Sequence, residues 1–244
     1  MLNKIITTFI LGMVILAGTL NAQMFWNQAA KFENGGYISG PNTLSLNIVG
    51  SFTIEAWVYP TVNSGIRYIV FKGNASNGYY LRLISNGTVS LGTNGLNRIT
   101  STAVIPAGKW SHVAGSYNVT NNGFKLFVNG LEDASAINII NSAPNTNTDS
   151  LFIGKFGGNT FTGLMDEVRI WTKAVEPVMV RKSFRTSLSI SNGKYVSLLF
   201  SVPFQRINSS GTSFTIQDLS LNPISVNPTY NRGVTAVDLG GRPS

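Results

Sequence analysis

The chain has 244 residues, which is long enough for one large all-β domain or two small ones, and its net charge is +8. Charged residues make up only 11% and hydrophobic residues 43%, which excludes a charge-driven disordered chain. The absence of cysteine excludes disulfides, thiolate metal sites and cysteine nucleophiles. The single histidine, His112, leaves little for a zinc site or a Ser-His catalytic arrangement.

Residues 1–22 have the pattern of a signal peptide. Lys4 precedes an uncharged, apolar run from Ile5 to Leu20, and cleavage is predicted after Ala22. The alternative is an uncleaved membrane anchor, because the run approaches the length that spans a bilayer. No basic cluster follows Leu20, so we predict cleavage and no membrane insertion afterwards. Export without cysteine is typical of a bacterial envelope or extracellular protein, so we expect a secreted or cell-surface location.

The middle of the chain predicts short strands. Phe52–Pro60 alternates so that both faces of a strand would be at least partly covered, as in a sandwich. Asn86-Gly87 predicts a type I′ hairpin, and the strands recur about every ten residues, which favours an all-β antiparallel two-sheet jelly-roll sandwich. One short helix is predicted near the C-terminal side, over Glu176–Arg185. The other predicted strands are Arg67–Lys72, Tyr79–Ile84, Thr88–Leu91, Trp110–Tyr117, Phe124–Val128, Leu131–Ile140, Leu151–Gly154 and Gly163–Trp171.

Several sequence blocks between residues 24 and 185 carry a family resemblance. They are Phe32–Ile38, Phe52–Val58, Gly108–Ala114, Lys125–Gly130, Leu151–Gly154 and Phe161–Trp171. In order and spacing they resemble the LamG-like (laminin G type 3) jelly rolls of the concanavalin A-like lectin/glucanase superfamily. The resemblance implies a concanavalin A-like fold but leaves function open, because that fold hosts lectins, glycosidases, adhesion modules and spacers.

We therefore predict a signal peptide at 1–22, a LamG-like domain at 23–185 and a tail at 186–244. Tyr195–Phe200 and Ser213–Ile216 are predicted strands of this tail, and Gln217–Asn222 resembles a linker before a further LamG-like unit. Two alternatives stay open. The tail packs as extra strands on the one domain, or it leads into a further, absent repeat, and the linker resemblance favours the second.

The acidic residues do not predict an enzyme. A glycosidase needs two carboxylates facing one sugar, which on a strand requires acids at i and i+2 or i+4. No such spacing occurs, and the Glu-x-Asp-x-x-Glu strand of the superfamily's glucanases has no copy here. The adjacent pairs Glu132-Asp133 and Asp166-Glu167 would point to opposite faces. His112 is interpreted as a hydrogen-bonded strand residue rather than a general base.

The resemblance implies at most one cofactor, a structural calcium ion. In related jelly rolls an Asp on the last strand joins carbonyl groups of an N-terminal Gly-rich turn, and Asp166 matches that Asp. Here the turn contains Asn34 and Gly36, where the family usually has Asp-Gly. The alternative is that Asp166 accepts backbone N–H bonds from the turn without an ion.

Carbohydrate sites pair an exposed aromatic ring with planar polar groups. Trp57, Trp110 and Trp171 lie in the strand blocks, so we predict that they fill the interior between the sheets. The remaining candidates for ligand contact are residues that we place in loops. They are Tyr79, Tyr80, Arg98 and Asn159.

The sequence thus predicts an exported, non-catalytic binding or adhesion module for a glycan or a cell-surface partner. The alternative is a purely structural spacer repeat of a larger bacterial surface protein, and a glycoside hydrolase is less favoured. Net positive charge suits anionic glycans. Arg181, Lys182 and Arg185 form a basic cluster without the interleaved aromatic residues of a nucleic-acid site, so nucleic acid is not an expected partner.

Overall fold

A computed structural model describes residues 28–185, 198–202, 208–210, 213–215, 229–230 and 234–238. The predicted signal segment 1–22 and the linker-like stretch Gln217–Asn222 lie outside these residues. Among the described residues no helix has both the length and the hydrophobicity needed to cross a bilayer.

The described strands pair antiparallel throughout, in two large sheets and two short hairpins. In chain order they are β1 (Gln28–Phe32), β2 (Ile38–Gly40), β3 (Phe52–Pro60), β4 (Arg67–Asn74), β5 (Asn77–Leu83), β6 (Thr88–Thr93), β7 (Leu96–Val104), β8 (Ser111–Asn118), β9 (Gly123–Val128), β10 (Leu131–Ala136), β11 (Leu151–Ile153), β12 (Lys155–Phe156), β13 (Asn159–Thr160), β14 (Gly163–Trp171), β15 (Leu198–Val202), β16 (Asn208–Ser210), β17 (Ser213–Thr215), β18 (Thr229–Tyr230) and β19 (Val234–Asp238). A 3-10 turn covers Leu44–Leu46, and the helix α1 covers Pro177–Arg185.

The two large sheets face each other. The eight-stranded sheet has the order β10-β9-β8-β3-β14-β1-β19, with β15 also paired to β14, and the seven-stranded sheet has the order β18-β2-β11-β4-β5-β6-β7. The remaining pairs are the hairpins β12–β13 and β16–β17. This architecture confirms the predicted all-β jelly-roll sandwich with one short helix.

The core lies between the sheets and is built by the period-2 alternation of the strands. In β3, the inward residues Phe52, Ile54, Ala56 and Val58 are fully buried. They belong to one continuous apolar cluster with inward residues of the opposite sheet, including Leu81 of β5. Phenylalanine, tyrosine and branched aliphatic side chains fill this space.

The tryptophans do not fill the interior, so that prediction is wrong. The same alternation that points Ile54 inward turns Trp57 to the outer face of the eight-stranded sheet, where it meets Trp110 edge-on. Trp171 also lies on that outer face and is buried there in a second apolar cluster with Phe127 and Val180. Trp171 is therefore a packing residue, but it packs beneath the helix and not between the two sheets.

The helix α1 supplies the cover for this second cluster. Val180 is fully buried, whereas Arg181 and Lys182 are exposed, as expected for a short amphipathic helix. The backbone N–H groups of Met179 and Val180 both donate to the Glu176 carbonyl, which places Pro177 in the first turn, where its missing N–H costs nothing. The predicted helix at Glu176–Arg185 is confirmed to within one residue.

The Asn-Gly turns differ in part from the prediction. Asn94-Gly95 and Asn129-Gly130 each have positive φ at both residues and connect strands as two-residue loops, the geometry of a type I′ turn. At Asn86-Gly87 only Gly87 has a positive φ, and Gly87 N–H donates to the Ile84 carbonyl across a longer loop. The type I′ prediction at Asn86-Gly87 is therefore wrong.

Three of the described strands beyond residue 185 join the two large sheets, whereas β16 and β17 pair with each other. β15 pairs with β14, β19 pairs with β1, and β18 pairs with β2. These three strands extend the sandwich, and the lead of the tail into a further repeat stays a prediction.

Candidate functional site

A polar cavity of about 460 Å³ opens at one rim of the sandwich. Three loops form it, namely the segment after the 3-10 turn, the β4–β5 hairpin and the segment that leads into β11. Each lining residue carries an amide, hydroxyl or carboxyl group. They are Asn47, Asn74, Asn77, Thr146, Asn147, Thr148 and Asp149, and we call this site the rim cavity.

Hydrogen bonds between the loops fix the shape of the rim cavity. Asn74 donates its side-chain amide to Asp149 Oδ2 over 2.8 Å, which joins the β4–β5 hairpin to the segment before β11. The Asn147 backbone N–H donates to Asn47 Oδ1 over 3.2 Å, which joins that segment to the 3-10 turn. The Asn145 side chain donates to Asn77 Oδ1 over 3.2 Å. The cavity is thus held open by a side-chain network rather than by apolar packing.

A second hairpin anchors the same loop from the side. Asn94, in the two-residue turn between β6 and β7, donates its side-chain amide to the Ala143 carbonyl over 2.7 Å. Its Oδ1 accepts the Asn145 backbone N–H over 2.8 Å. The positive φ of Asn94 aims the side chain along the rim, so this turn positions the loop that carries Thr146 to Asp149.

Lys72 lies behind the lining of the rim cavity. It occupies an inward position near the end of β4 and is fully buried. Its ammonium group donates to Asn147 Oδ1 over 2.5 Å and approaches Asn47 Oδ1 to 3.4 Å. Burial lowers the pKa of Lys72 to about 8, although the nearby Asp149 carboxylate acts in the opposite direction.

Several polar groups of the lining are left for a ligand. Among the described residues, no hydrogen bond involves Asp149 Oδ1 or the hydroxyl groups of Thr146 and Thr148. A carboxylate oxygen only accepts, an amide NH₂ only donates, and a hydroxyl does both. The rim cavity therefore offers donors and acceptors side by side, which matches a ligand with neighbouring hydroxyl groups.

The four residues predicted for ligand contact do not line the rim cavity. Tyr79 lies in β5 rather than in a loop, and its ring is buried in the core with the hydroxyl donated to the Leu46 carbonyl over 3.1 Å. The predicted strand Tyr79–Ile84 thus holds for Tyr79, whereas the placement of the same residue in a loop is wrong, because β5 begins at Asn77.

Tyr80 is also in β5 but points to the outer face of the seven-stranded sheet. It is buried there in a small aromatic cluster with Tyr68 and Phe71, and the guanidinium of Arg82 lies 4.6 Å from its ring centroid. Burial raises the pKa of Tyr80, against the effect of Arg82 and Arg98. The cluster is partly covered by the β12–β13 hairpin, whose Phe156 stacks on Phe71.

Arg98 and Asn159 occupy two further places. Arg98 lies in β7 rather than in a loop, and it donates to Thr93 Oγ1 over 2.9 Å and to the Asn141 carbonyl over 2.7 Å. Asn159 is exposed in the β12–β13 hairpin, opposite Phe156. The four predicted residues are therefore spread over the core, the outer face of the seven-stranded sheet, a strand edge and a surface hairpin.

The residues predicted to hold calcium are not brought together. The register pairs Gly163 with Phe32 and Met165 with Ala30, so Asp166 lies level with Ala29. Asn34 and Gly36 follow Phe32 in the turn, so the strand residues Ala30 to Phe32 separate them along β1 from the level of Asp166. Asp166 instead accepts the Glu167 backbone N–H over 2.7 Å. Within the described ranges, no group of three or more His, Cys, Asp or Glu side chains is arranged for a metal ion.

Two carboxylates do converge on the outer face of the eight-stranded sheet. Arg169 lies between Glu55 and Glu167, with its guanidinium 3.2 Å from Glu55 Oε1 and in an ion pair with Glu167. His112 Nε2 approaches Glu55 Oε2 to 3.3 Å, and the Trp171 indole donates to Glu55 Oε1 over 3.0 Å. All five side chains are buried. The spacing rule for one strand missed the two carboxylates because they meet across neighbouring strands and through a bulge at Glu167, which has a φ of 52°.

Burial and charge act in opposite directions on Arg169. Burial favours a lower pKa for its guanidinium, but Glu167 and Glu55 together hold the pKa above its ordinary value. The group is therefore a permanent cation that neutralises buried carboxylates. Both carboxylates are therefore paired with the guanidinium and closed off from solvent.

The sequence signal for the rim cavity was the run Asn145-Thr146-Asn147-Thr148-Asp149, which is polar at every position. Because this run contains no aromatic residue, the aromatic-ring criterion for carbohydrate sites does not select it.

The family model of the concanavalin A-like lectin/glucanases superfamily (Laminin G 3) matches residues 32–181. The chain belongs to this superfamily. The matched segment runs from β1 into α1 and includes the rim cavity. The predicted resemblance is therefore confirmed.

Solved structures show the same lectin/glucanase fold at low sequence identity. A Bacteroides ovatus protein described as carbohydrate-binding is 22% identical, with a TM-score of 0.71 over 89% of this chain and 61% of that chain. A heptameric SAP-like pentraxin from Limulus polyphemus is 15% identical, with a TM-score of 0.59 over 88% of this chain and 96% of that chain. A Ruminococcus gnavus sialidase CBM40 bound to α2,3-sialyllactose is 16% identical, with a TM-score of 0.51 over 64% of this chain and 97% of that chain.

This chain therefore spans about three fifths of the length of the Bacteroides ovatus protein. Among curated proteins, none matches the sequence significantly.

Proposed function

We propose that this chain is an exported, non-catalytic carbohydrate-binding module whose sugar site is the rim cavity. The single observation that carries the proposal is the lining of that cavity, in which seven polar side chains surround about 460 Å³. This volume lies within the range of about 300–1,000 Å³ that is usual for small-ligand sites.

The chemistry of the lining supports a sugar rather than an apolar ligand. A sugar hydroxyl donates and accepts at once, and the rim cavity presents Asp149 Oδ1 as an acceptor beside the threonine hydroxyls and asparagine amides. The hydrogen-bond network between the loops also favours ligand binding, because side chains that are already ordered lose little conformational entropy when a ligand binds. Two structures of the same fold agree with this proposal, since the Bacteroides ovatus protein is described as carbohydrate-binding and the CBM40 domain is bound to α2,3-sialyllactose.

The distribution of acidic residues supports a non-catalytic role. A glycosidase needs two carboxylates on one sugar. In the rim cavity Asp149 is the acidic residue of the lining, whereas Glu55 and Glu167 are buried and neutralised by Arg169 elsewhere. Export to the cell surface or medium is proposed from the predicted signal peptide at residues 1–22, and it would bring the module to extracellular glycans.

A glycan array probed with the full chain tests this function. We expect binding to at least one sugar, and we expect Asn77→Ala to abolish it by removing a lining amide. Asn159→Ala is the matched control, because Asn159 is an exposed asparagine in a hairpin outside the cavity. A blank array would contradict the proposal. Binding that is lost in Asn159→Ala but kept in Asn77→Ala would move the site to the β12–β13 hairpin.

A further inference from the structure

A cation that belongs to the chain itself lies directly behind the lining of the rim cavity. Lys72 is fully buried behind the lining, and the two side-chain acceptors of its ammonium group are Asn147 Oδ1 and Asn47 Oδ1. Asp149 is close enough to act on its charge. Amide oxygens and a carboxylate gathered around one positive centre are what proteins otherwise assemble for calcium.

The ammonium group fixes which way the two asparagine amides face. An ammonium only donates, so Asn47 and Asn147 must turn Oδ1, and not NH₂, toward Lys72. The same two oxygens accept backbone N–H groups, Asn47 Oδ1 from Asn147 and Asn147 Oδ1 from Asp149, each over 3.2 Å. Both carboxamide oxygens are therefore engaged behind the lining.

The NH₂ groups of these asparagines are left as donors. Their contacts within the chain are long, at 3.3 Å from Asn47 to Asn42 Oδ1 and 3.4 Å from Asn147 to the Asn145 carbonyl. Each NH₂ also carries a second hydrogen. Asn47 and Asn147 thus present donors to a ligand because Lys72 holds their oxygens on the other side.

We propose that Lys72 is the fixed internal cation of the rim cavity, which orients Asn47 and Asn147 toward a neutral polyhydroxylated ligand and makes binding independent of metal ions. Lys72 is a positioning residue, since it acts through the two amides. The inference rests on the carbohydrate-binding function proposed above. A neutral ligand is favoured because Asp149 is the charged residue of the lining and would repel a carboxylate or sulfate.

A consequence for pH follows from the surroundings of Lys72. Asp149 is the charged group that acts on it, and it comes from the loop before β11. Tyr79 faces it from β5, with a hydroxyl whose pKa is raised by burial, so this phenol stays neutral over the relevant range. β11 presents the apolar Leu151 on the other side. Above about pH 8 the ammonium loses its proton, the amides lose their fixed orientation, and ligand affinity should fall.

The first experiment uses a glycan array with neutral, sialylated and sulfated sugars, followed by calorimetry with the best neutral sugar. The full chain is measured in EDTA and in calcium, from about pH 6 to about pH 10. We expect equal affinity in EDTA and calcium, and a fall of about tenfold or more with a midpoint near the pKa of Lys72. Binding that requires calcium, or that prefers sialylated or sulfated sugars, would overturn the inference while leaving carbohydrate binding intact.

Variants separate positioning from folding. Lys72→Met should lower affinity about tenfold or more and abolish the fall in affinity above about pH 8. Lys72→Arg should bind the sugar without this fall in affinity, because arginine keeps its charge. Lys125→Met is the control, because it removes an exposed lysine of β9 that pairs with Glu132. Unchanged affinity in a folded Lys72→Met variant would overturn the inference.

A ligand-free measurement decides the matter if the array is blank or the variants fail to fold. NMR of the wild-type chain should show the side-chain NH₂ signals of Asn47 and Asn147 shifting with a midpoint near pH 8. A blank array with this titration would reject the proposed function and keep the role of Lys72 in orienting the amides. Signals that do not respond to pH would reject the role of Lys72.

Discussion

Asn74 donates its side-chain amide to one carboxylate oxygen of Asp149 over 2.8 Å, so two loops that are 75 residues apart in sequence share one wall of the rim cavity. The other carboxylate oxygen is available to a ligand. Asp149→Asn keeps the shape but removes the charge, and a hydrogen bond to a charged group contributes about 1.5–3 kcal/mol. We expect sugar affinity to fall about tenfold or more, measured by calorimetry.

Asp133→Asn is the control for this change. Asp133 also accepts from a neighbouring segment, the backbone N–H groups of Thr102 and Ala103, but it lies outside the cavity. The loss of the Asp133 charge should lower the free energy of unfolding and leave sugar affinity unchanged. Wild-type affinity in Asp149→Asn would mean that the ligand does not use this carboxylate.

The Tyr80 ring lies across Gly92 of the neighbouring strand. A Cβ at position 92 would overlap the Tyr80 ring and hydroxyl and the Leu96 carbonyl oxygen. Gly92→Ala should therefore lower the free energy of unfolding by about 1–3 kcal/mol, the usual cost of overpacking. Gly158→Ala, where no atom lies within 4 Å, should be nearly neutral. Urea denaturation of both variants measures the difference, and equal stability would place the Tyr80 ring elsewhere.

The buried ion cluster of Arg169, Glu55 and Glu167 should affect the free energy of unfolding far more than an exposed ion pair does. Arg169→Met leaves Glu55 and Glu167 without their shared cation in a buried place, which typically costs about 3–5 kcal/mol. Lys125→Met breaks the exposed pair with Glu132, which is worth about 0–1 kcal/mol. Chemical denaturation should show a large loss for the first variant and almost none for the second. Similar losses in the two would contradict the burial of the cluster.

Lys72 should affect stability and binding in opposite directions as pH rises. Its pKa is about 8 in the folded chain and near 10.5 in the unfolded chain, so the unfolded state binds more protons between these values. Stability rises with pH wherever the unfolded state binds more protons. The free energy of unfolding of the wild type, minus that of Lys72→Met, should therefore increase from about pH 8 upward. Denaturation at several pH values tests this, and a constant difference would mean that Lys72 has an ordinary pKa.

The regular part of the fold was predictable because alternation is a local property. Phe52–Pro60 was predicted at both ends, since an uninterrupted apolar pattern begins after Ser51 and a proline ends it. β7 was missed because its two-residue turn, Asn94-Gly95, precedes a strand that is largely polar, with several exposed residues. Arg98 was consequently assigned to a loop.

The rim cavity could not be predicted because its lining depends on tertiary contacts. Asn47 and Asn147 are 100 residues apart in sequence and are brought together only by the tertiary fold. One local signal did exist, since Lys72 directly follows the apolar run Tyr68–Phe71 in a predicted strand, and a lysine that is buried there needs acceptors. The calcium set depends on the same kind of information, because the register of β1 against β14 decides which residues of the first strand lie level with Asp166.

The pairing of β1 with β19 has a consequence for how the module sits in any longer chain. Gln28 lies opposite Asp238 on adjacent strands, about 5 Å apart between Cα atoms. Polypeptide that continues before β1 and after β19 would therefore leave the sandwich from adjacent strands at one end. A domain with this arrangement adds almost no length between the segments on either side of it.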